Sequence, residues 1–262
     1  MPSTSADGDV REALDTILLD AGGVLLDESE FEQARAEAAV ETLSKVAPGY
    51  NLDAYWADVR EAVERYTPSV YRYVIWKHSG RDRVVFDRLW AEYKALWRAR
   101  EPGLRLMPGI GEILRELSPD YHLVIAGQYG AALTQLLDEH GLLELFGSTL
   151  TQDDFGITKP DPRYYEQILA RSGRLAERSI MIGDRIDKDV IPAKAVGMRT
   201  IRVRLGVYAS QEPRSPDEAP DVEIESVGEI PDAVRRLSGS HSDSKGARSF
   251  ERSTWDCDGI CP

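Results

Sequence analysis

Three short segments carry charged side chains at positions where a parallel sheet could gather them for chemistry. The segments are 16–24, 159–162 and 180–189. Asp20 and Asp184 each follow a run of aliphatic residues and have glycine close by, which is typical of a buried strand that delivers a carboxylate to its end. Because open α/β sheets place ligands at the carboxyl ends of their strands, we expect these two carboxylates to face each other.

The chemistry that such a pair could perform depends on a cation. Buried carboxylates repel unless a positive charge lies between them, and hard oxygen ligands favour Mg²⁺. Lys159 would add a fixed positive charge for an anionic substrate. The sequence therefore predicts a metal-assisted reaction on an anionic compound.

The order of these segments resembles the haloacid dehalogenase-like hydrolase superfamily, over residues 16 to about 207. The resemblance implies that Asp20 is a nucleophile that forms an aspartyl-phosphate, with Lys159 as the second catalytic residue. It also implies a single Mg²⁺ as cofactor and a small phosphorylated metabolite as substrate. The implied metal ligands are Asp20, the Gly22 carbonyl, Asp184 and Asp189, and the implied substrate-binding residues are Gly22, Gly23, Gly127, Gln128 and Lys159.

Two positions depart from the pattern of that superfamily. Gly22 stands where its phosphatases usually carry an Asp that acts as general acid and base, a role worth on the order of 10²–10⁴ in rate. Asp27 or Glu28, in the turn that follows, could supply the missing acid. Gly127 stands where a Ser or Thr hydroxyl would bind a phosphoryl oxygen, and the Gln128 amide could replace that hydroxyl.

The elements that must position these residues alternate between strands and helices. The predicted fold class is α/β, a Rossmann-like three-layer parallel sheet core with an inserted α-helical cap. The core would comprise residues 11–28 and 105–237. Its later strands are predicted at 123–126, 148–151, 180–182, 199–203 and 222–224, and its helices at 110–117, 131–140, 162–172, 190–196 and 230–237.

The resemblance implies that residues 29–104 form a helical cap inserted after the first motif. Three amphipathic stretches, which begin near Phe31, Tyr55 and Val84, predict its helices. Residues 238–262 are predicted to form a flexible tail, because small and polar residues dominate there. Its tip carries Trp255 and both cysteines of the chain, Cys257 and Cys261.

Composition limits the function classes. A net charge of −13 argues against a nucleic-acid partner, because phosphate contacts need clustered Lys and Arg. No apolar stretch is long enough to span a membrane and no secretion signal is recognised, so a cytoplasmic location is predicted.

Three functions remain open. The first is the Mg²⁺-dependent phosphohydrolase described above. The second is a catalytically impaired binding or carrier protein of the same fold, whose Cys-containing tail is recognised or modified by a partner enzyme; Gly22, Gly127 and the tail motivate it. The third is another reaction of the same scaffold, such as C–halogen hydrolysis, for which Asp184 is an awkward fit.

Overall fold

Short aliphatic strands form a parallel sheet at the centre of the chain. The computed structural model describes residues 13–127, 130–148 and 156–239, and within them the sheet order is β3-β2-β1-β4-β5-β6. The strands are β1 Thr16–Leu19, β2 His122–Ile125, β3 Phe146–Ser148, β4 Ser179–Gly183, β5 Arg199–Val203 and β6 Val222–Ile224. Every pairing between neighbouring strands is parallel.

Helices cover both faces of the sheet and also form a separate group. They are α1 Ser29–Leu43, α2 Leu52–Glu64, α3 Val70–His78, α4 Arg83–Arg100, α5 Ile110–Leu117, α6 Gly130–Glu139, α7 Arg163–Ser172, α8 Ile191–Ala195 and α9 Ile230–Gly239. Because side chains alternate along a strand, Ile17 and Leu19 pack with α5, α6 and α9, while Leu18 packs with α7 and α8. The predicted three-layer α/β fold is therefore confirmed.

Helices α1 to α4 lie between β1 and α5 in the chain and share a hydrophobic cluster of their own. The sequence predicted three helical stretches here, but the structure has four, and α3 was missed. The side chain of Ser69 caps the N-terminus of α3 by accepting a hydrogen bond from the Arg72 N–H. The boundaries proposed for the cap stay a prediction.

Other differences concern the ends of elements. Strand β3 begins at Phe146 rather than Ser148, and positions 149–151 of its predicted range lie outside the described residues. Helix α9 continues to Gly239, into the range that was predicted as tail. Residues 240–262 lie outside the described residues, and with them Trp255, Cys257 and Cys261.

Within the described ranges, we find no helix that combines the length and apolar character needed to cross a membrane.

Candidate active site

Two neighbouring strands bring the predicted carboxylates together. Asp20 directly follows β1 and Asp184 directly follows β4, and these strands pair in parallel with Leu19 opposite Ile182. The Asp20 N–H donates to the Ile182 carbonyl oxygen over 2.9 Å, so the ladder of hydrogen bonds extends to the nucleophile candidate itself. Oxygens of Asp20, Asp184 and Asp189 all lie within 4.8 Å of one another.

Lys159 reaches this group from the loop before α7. Its Nζ donates to Oδ1 of Asp20 over 2.7 Å and to Oδ1 of Asp189 over 2.6 Å. The side chain is only 2% exposed. Burial opposes the charged form, but Asp189 and Asp20 together raise the pKa of Lys159 well above its ordinary value. The ammonium therefore stays charged beside Asp20.

Asp189 lies in the helical turn Ile186–Val190, directly before α8, and fixes the position of Lys159. Its Oδ2 accepts a hydrogen bond of 3.0 Å from the Arg185 N–H, while Oδ1 accepts the bond from Lys159. A Cβ on Gly183 would lie 2.4 Å from Cγ of Asp189, so a side chain at position 183 would displace this carboxylate. Glycine before Asp184 thus makes room for Asp189.

The charges of the site do not balance within the described residues. Three carboxylates share one ammonium, and burial raises the pKa of Asp20 to about 6 even though Lys159 acts in the opposite direction. Burial, with the charges of Asp189 and Asp20, raises the pKa of Asp184 well above its ordinary value. A divalent cation would relieve this repulsion, and a cluster of carboxylate oxygens has the ligand chemistry that Mg²⁺ prefers. The residues present therefore fit the predicted metal.

Gly22 and Gly23 lie in a tight turn after the nucleophile candidate. The N–H of Leu26 donates to the Ala21 carbonyl oxygen over 2.8 Å, and the N–H of Gly23 donates to the Leu26 carbonyl oxygen over 3.1 Å. Gly23 has φ 70°, and a Cβ there would lie 3.1 Å from Cβ of Asp184. Gly23 is therefore needed for the turn and for the close approach of Asp184, and its N–H is used inside the turn.

Gly127 has a packing role that the sequence did not reveal. A Cβ at this position would lie 2.4 Å from Cβ of Ala21 and 2.9 Å from its backbone nitrogen. A Ser or Thr at position 127 would therefore collide with the residue that follows Asp20. Gln128, which was predicted to supply a compensating amide, lies outside the described residues.

Sequence reasoning missed a set of buried arginines around Asp184. Arg185 is 8% exposed, donates through Nη2 to Asp187 over 2.6 Å and stacks on Tyr208 with its Cζ 3.9 Å from the ring centroid. Arg202, which is fully buried, donates from Nε to the Asp184 carbonyl oxygen over 3.3 Å. The place of Arg202 between Ile201 and Val203 in a predicted strand was the available signal for it. These contacts hold the loop after β4 in place.

A cavity of about 730 Å³ separates the helices of the cap from the loops at this edge of the sheet. Its lining includes Glu28, Glu32, Trp56, Tyr71, Asp184 and Tyr208. The Glu32 carboxylate is held by the Tyr71 hydroxyl at 2.5 Å and by Arg35 Nη1 at 2.6 Å. Asp184 of the acidic site and aromatic and charged side chains of the cap thus line the same cavity.

Two curated proteins illustrate what the chain is similar to. It is 37% identical over 97 residues to a glyceraldehyde 3-phosphate phosphatase of Methanopyrus kandleri, which is 37% of this chain and 42% of that protein. The chain thus matches less than half the length of that relative. A phosphoserine phosphatase of Thermus thermophilus is 29% identical over 218 residues, 75% of this chain and 83% of that protein.

A solved structure shows the same fold. The crystal structure of the HAD-hydrolase YfnB from Bacillus subtilis, described as bound to magnesium, superposes with a TM-score of 0.58. The superposition covers 85% of this chain and 99% of that one at 20% identity.

A family description covers most of the residues discussed above. The sequence model of the family described as haloacid dehalogenase-like hydrolase matches residues 14–197. This range contains Asp20, Lys159, Asp184 and Asp189. The predicted family and the prediction of a hydrolytic enzyme are confirmed. The chain belongs to the haloacid dehalogenase-like hydrolase family.

Proposed function

We propose that this protein is a Mg²⁺-dependent phosphatase that hydrolyses small phosphorylated metabolites through an aspartyl-phosphate on Asp20. The observation that carries the proposal is the contact between Asp20 and Lys159, with Asp184 and Asp189 at the same edge of the sheet. A carboxylate held 2.7 Å from a buried ammonium is fixed in position to attack an electrophile.

Each residue of the site has a distinct part in this reaction. An oxygen of Asp20 attacks phosphorus and is later released when water hydrolyses the acyl phosphate. Lys159 holds Asp20 in one orientation and offsets the negative charge of the phosphoryl group. Asp189 keeps Lys159 in place through the 2.6 Å hydrogen bond.

The carboxylates of Asp20, Asp184 and Asp189, together with the Gly22 carbonyl, would hold Mg²⁺. When bound, the ion would neutralise charge on the phosphoryl oxygens and keep the substrate in place. The unbalanced charge of the three carboxylates supports this assignment.

The substrate class follows from the cavity and from the relatives. About 730 Å³ suits a small metabolite, and the acidic and aromatic lining offers hydrogen bonds and contact surface to its organic part. The substrates in the names of the two relatives, glyceraldehyde 3-phosphate and phosphoserine, both carry phosphate on a primary hydroxyl. We therefore extend the proposal to phosphate esters of primary alcohols.

The test is a panel of such esters assayed with and without Mg²⁺. The chain should hydrolyse at least one ester, EDTA should abolish turnover, and Asp20→Asn should be inactive. Asp87→Asn, a change at a 56% exposed carboxylate on α4, is the matched control and should retain activity. Equal turnover by Asp20→Asn and the parent chain would refute the proposal.

The binding or carrier alternative depends on the tail, which lies outside the described residues, and no described contact favours it.

A further inference from the structure

Hydrolysis of an alkyl phosphate needs a proton at the leaving oxygen, and Gly22 cannot supply one. Expulsion of a primary alkoxide is slow unless an acid protonates it, and the water of the second step needs a base. The group that does this must reach the cavity that Gly23 and Asp184 line at this edge of the sheet. Among the described residues, four carboxylates line that cavity: Asp27, Glu28, Glu32 and Asp184.

Three of these carboxylates are oriented by contacts with groups other than Gly22. Asp27 accepts a 3.0 Å hydrogen bond from the Ser29 N–H at the start of α1 and pairs with Arg105. Glu32 is held by Tyr71 and Arg35 in the cap, and Asp184 belongs to the cluster of carboxylates described above.

Glu28 lies against the turn that carries Asp20. A Cβ built on Gly22 would lie 2.3 Å from Oε2 of Glu28 and 2.8 Å from its Cδ. Gly22 is not among the glycines with positive φ, so its backbone could carry a side chain. The Glu28 carboxyl group therefore fills the space in which a side chain two residues after Asp20 would begin.

The backbone holds Glu28 in this position. Leu26 forms isolated bridges with Gly22 and with Leu106, which fix the turn before Glu28. Glu28 is the N-cap residue of α1, yet its side chain makes no capping hydrogen bond. The side chain instead lies over Gly22, where it lines the cavity.

We propose that Glu28 is the general acid and base of this enzyme, an inference that rests on the proposed phosphatase function. As Asp20 forms its bond to phosphorus and the ester P–O bond breaks, the Glu28 carboxyl group transfers its proton to the leaving oxygen and the alcohol departs. Water then attacks the phosphorus of the acyl phosphate, Glu28 takes a proton from that water, and Asp20 leaves as a carboxylate with release of phosphate.

The experiment compares two esters with different leaving groups. Protonation matters for glycerol 1-phosphate but much less for p-nitrophenyl phosphate, whose leaving group is stable as an anion. Because both esters share the hydrolysis of the aspartyl-phosphate, the measured quantity is the rate of leaving-group release in the first turnover. Glu28→Gln should lower this rate by about 10²–10⁴-fold for the alkyl ester and by a much smaller factor for the aryl ester. Glu30→Gln, at a 54% exposed carboxylate in the first turn of α1, should leave both rates unchanged.

A transplanted acid provides a second measurement. Gly22→Asp combined with Glu28→Ala places a carboxylate in the same space from the other side, and alkyl turnover should recover about tenfold over Glu28→Ala alone. A further expected sign is phosphorylated Asp20 that accumulates in Glu28→Gln during aryl ester turnover, measured by mass spectrometry after rapid quenching.

The outcomes separate this inference from the proposed function. Equal losses in the first-turnover rate on both esters in Glu28→Gln, or no loss, would overturn the role of Glu28 while the parent chain remains a phosphatase. A parent chain that hydrolyses neither ester, nor any other in the panel, would instead overturn the phosphatase proposal.

Discussion

Asp20→Asn should make the metal-free protein more stable, although it abolishes catalysis. Burial raises the pKa of Asp20 from 3.8 to about 6, so folding works against its ionisation. The side chain is 15% exposed, and solvent therefore screens little of this effect. Each pH unit corresponds to about 1.4 kcal/mol, which gives about 3 kcal/mol of stability lost at neutral pH. Asn keeps the shape and removes the charge.

The free energy of unfolding should change with pH in a defined direction because of Asp20. Between pH 3.8 and about pH 6 the folded protein keeps the Asp20 proton while the unfolded chain has released it, so the free energy of unfolding falls as pH rises through this window. Asp20→Asn has no carboxylate at this position, so its free energy of unfolding does not fall for this reason. The difference in unfolding free energy between Asp20→Asn and the parent should be near zero at about pH 4 or below, and it should reach its full value at about pH 7.

Urea unfolding in EDTA at these two pH values measures the difference directly. Groups remote from Asp20 titrate equally in both proteins and cancel. Asp184, whose pKa the Asp20 charge raises, should ionise more readily in the variant and add to its gain in stability. Asp87→Asn should differ from the parent at neither pH, because its carboxylate is exposed. A variant that is less stable than the parent at pH 7, or a difference that does not change with pH, would show that Asp20 is not strained by burial.

Three further changes probe the same site. Lys159→Met should lower the free energy of unfolding by about 3–5 kcal/mol and abolish turnover, because buried carboxylates lose their cation. Urea unfolding measures the change, and an unchanged free energy of unfolding would contradict this. Gly127→Ser should lower the free energy of unfolding by about 1–3 kcal/mol, because its side chain collides with Ala21. Addition of Ala21→Gly should recover part of this loss. A Gly127→Ser variant that is more stable than the parent would disprove the collision. Gly23→Ala should weaken Mg²⁺ binding, because the new side chain pushes Asp184 away and strains a backbone with φ 70°. Calorimetry measures the affinity for Mg²⁺. An unchanged affinity would show that Asp184 need not hold its position.

The arrangement of the acidic residues could be predicted because it follows from local patterns and one general rule. Aliphatic runs before Asp20 and Asp184 predicted buried strands, and parallel strands meet at their carboxyl ends. The pairing of Leu19 with Ile182 then brought the two carboxylates together as expected. The contact of Lys159 with Asp20, across 139 positions of the chain, was expected from the resemblance of motifs, since no local pattern shows it.

The remaining features depend on distances of a few ångströms that no periodicity encodes. Helix α3 is short and follows its capping Ser69 closely, so its pattern merged with that of its neighbours. Asp187 lies two residues before Asp189, and no pattern in the sequence shows that it pairs with Arg185 and accepts a hydrogen bond from Gln211. Such tertiary contacts outweigh the local preference of the residue.

The two glycines that weakened the case for catalysis have a common physical explanation. At Gly127 the missing side chain leaves room for Ala21, and at Gly22 it leaves room for the Glu28 carboxylate. Each departure from the family pattern is thus matched by a neighbour that fills the vacated space. Restoring either side chain alone should consequently impair the protein, and a smaller neighbour should recover part of that loss, since the space is shared by the pair. The absence of an acid at position 22 is therefore a poor indicator of lost activity, because the chain brings a carboxylate to the same place from Glu28.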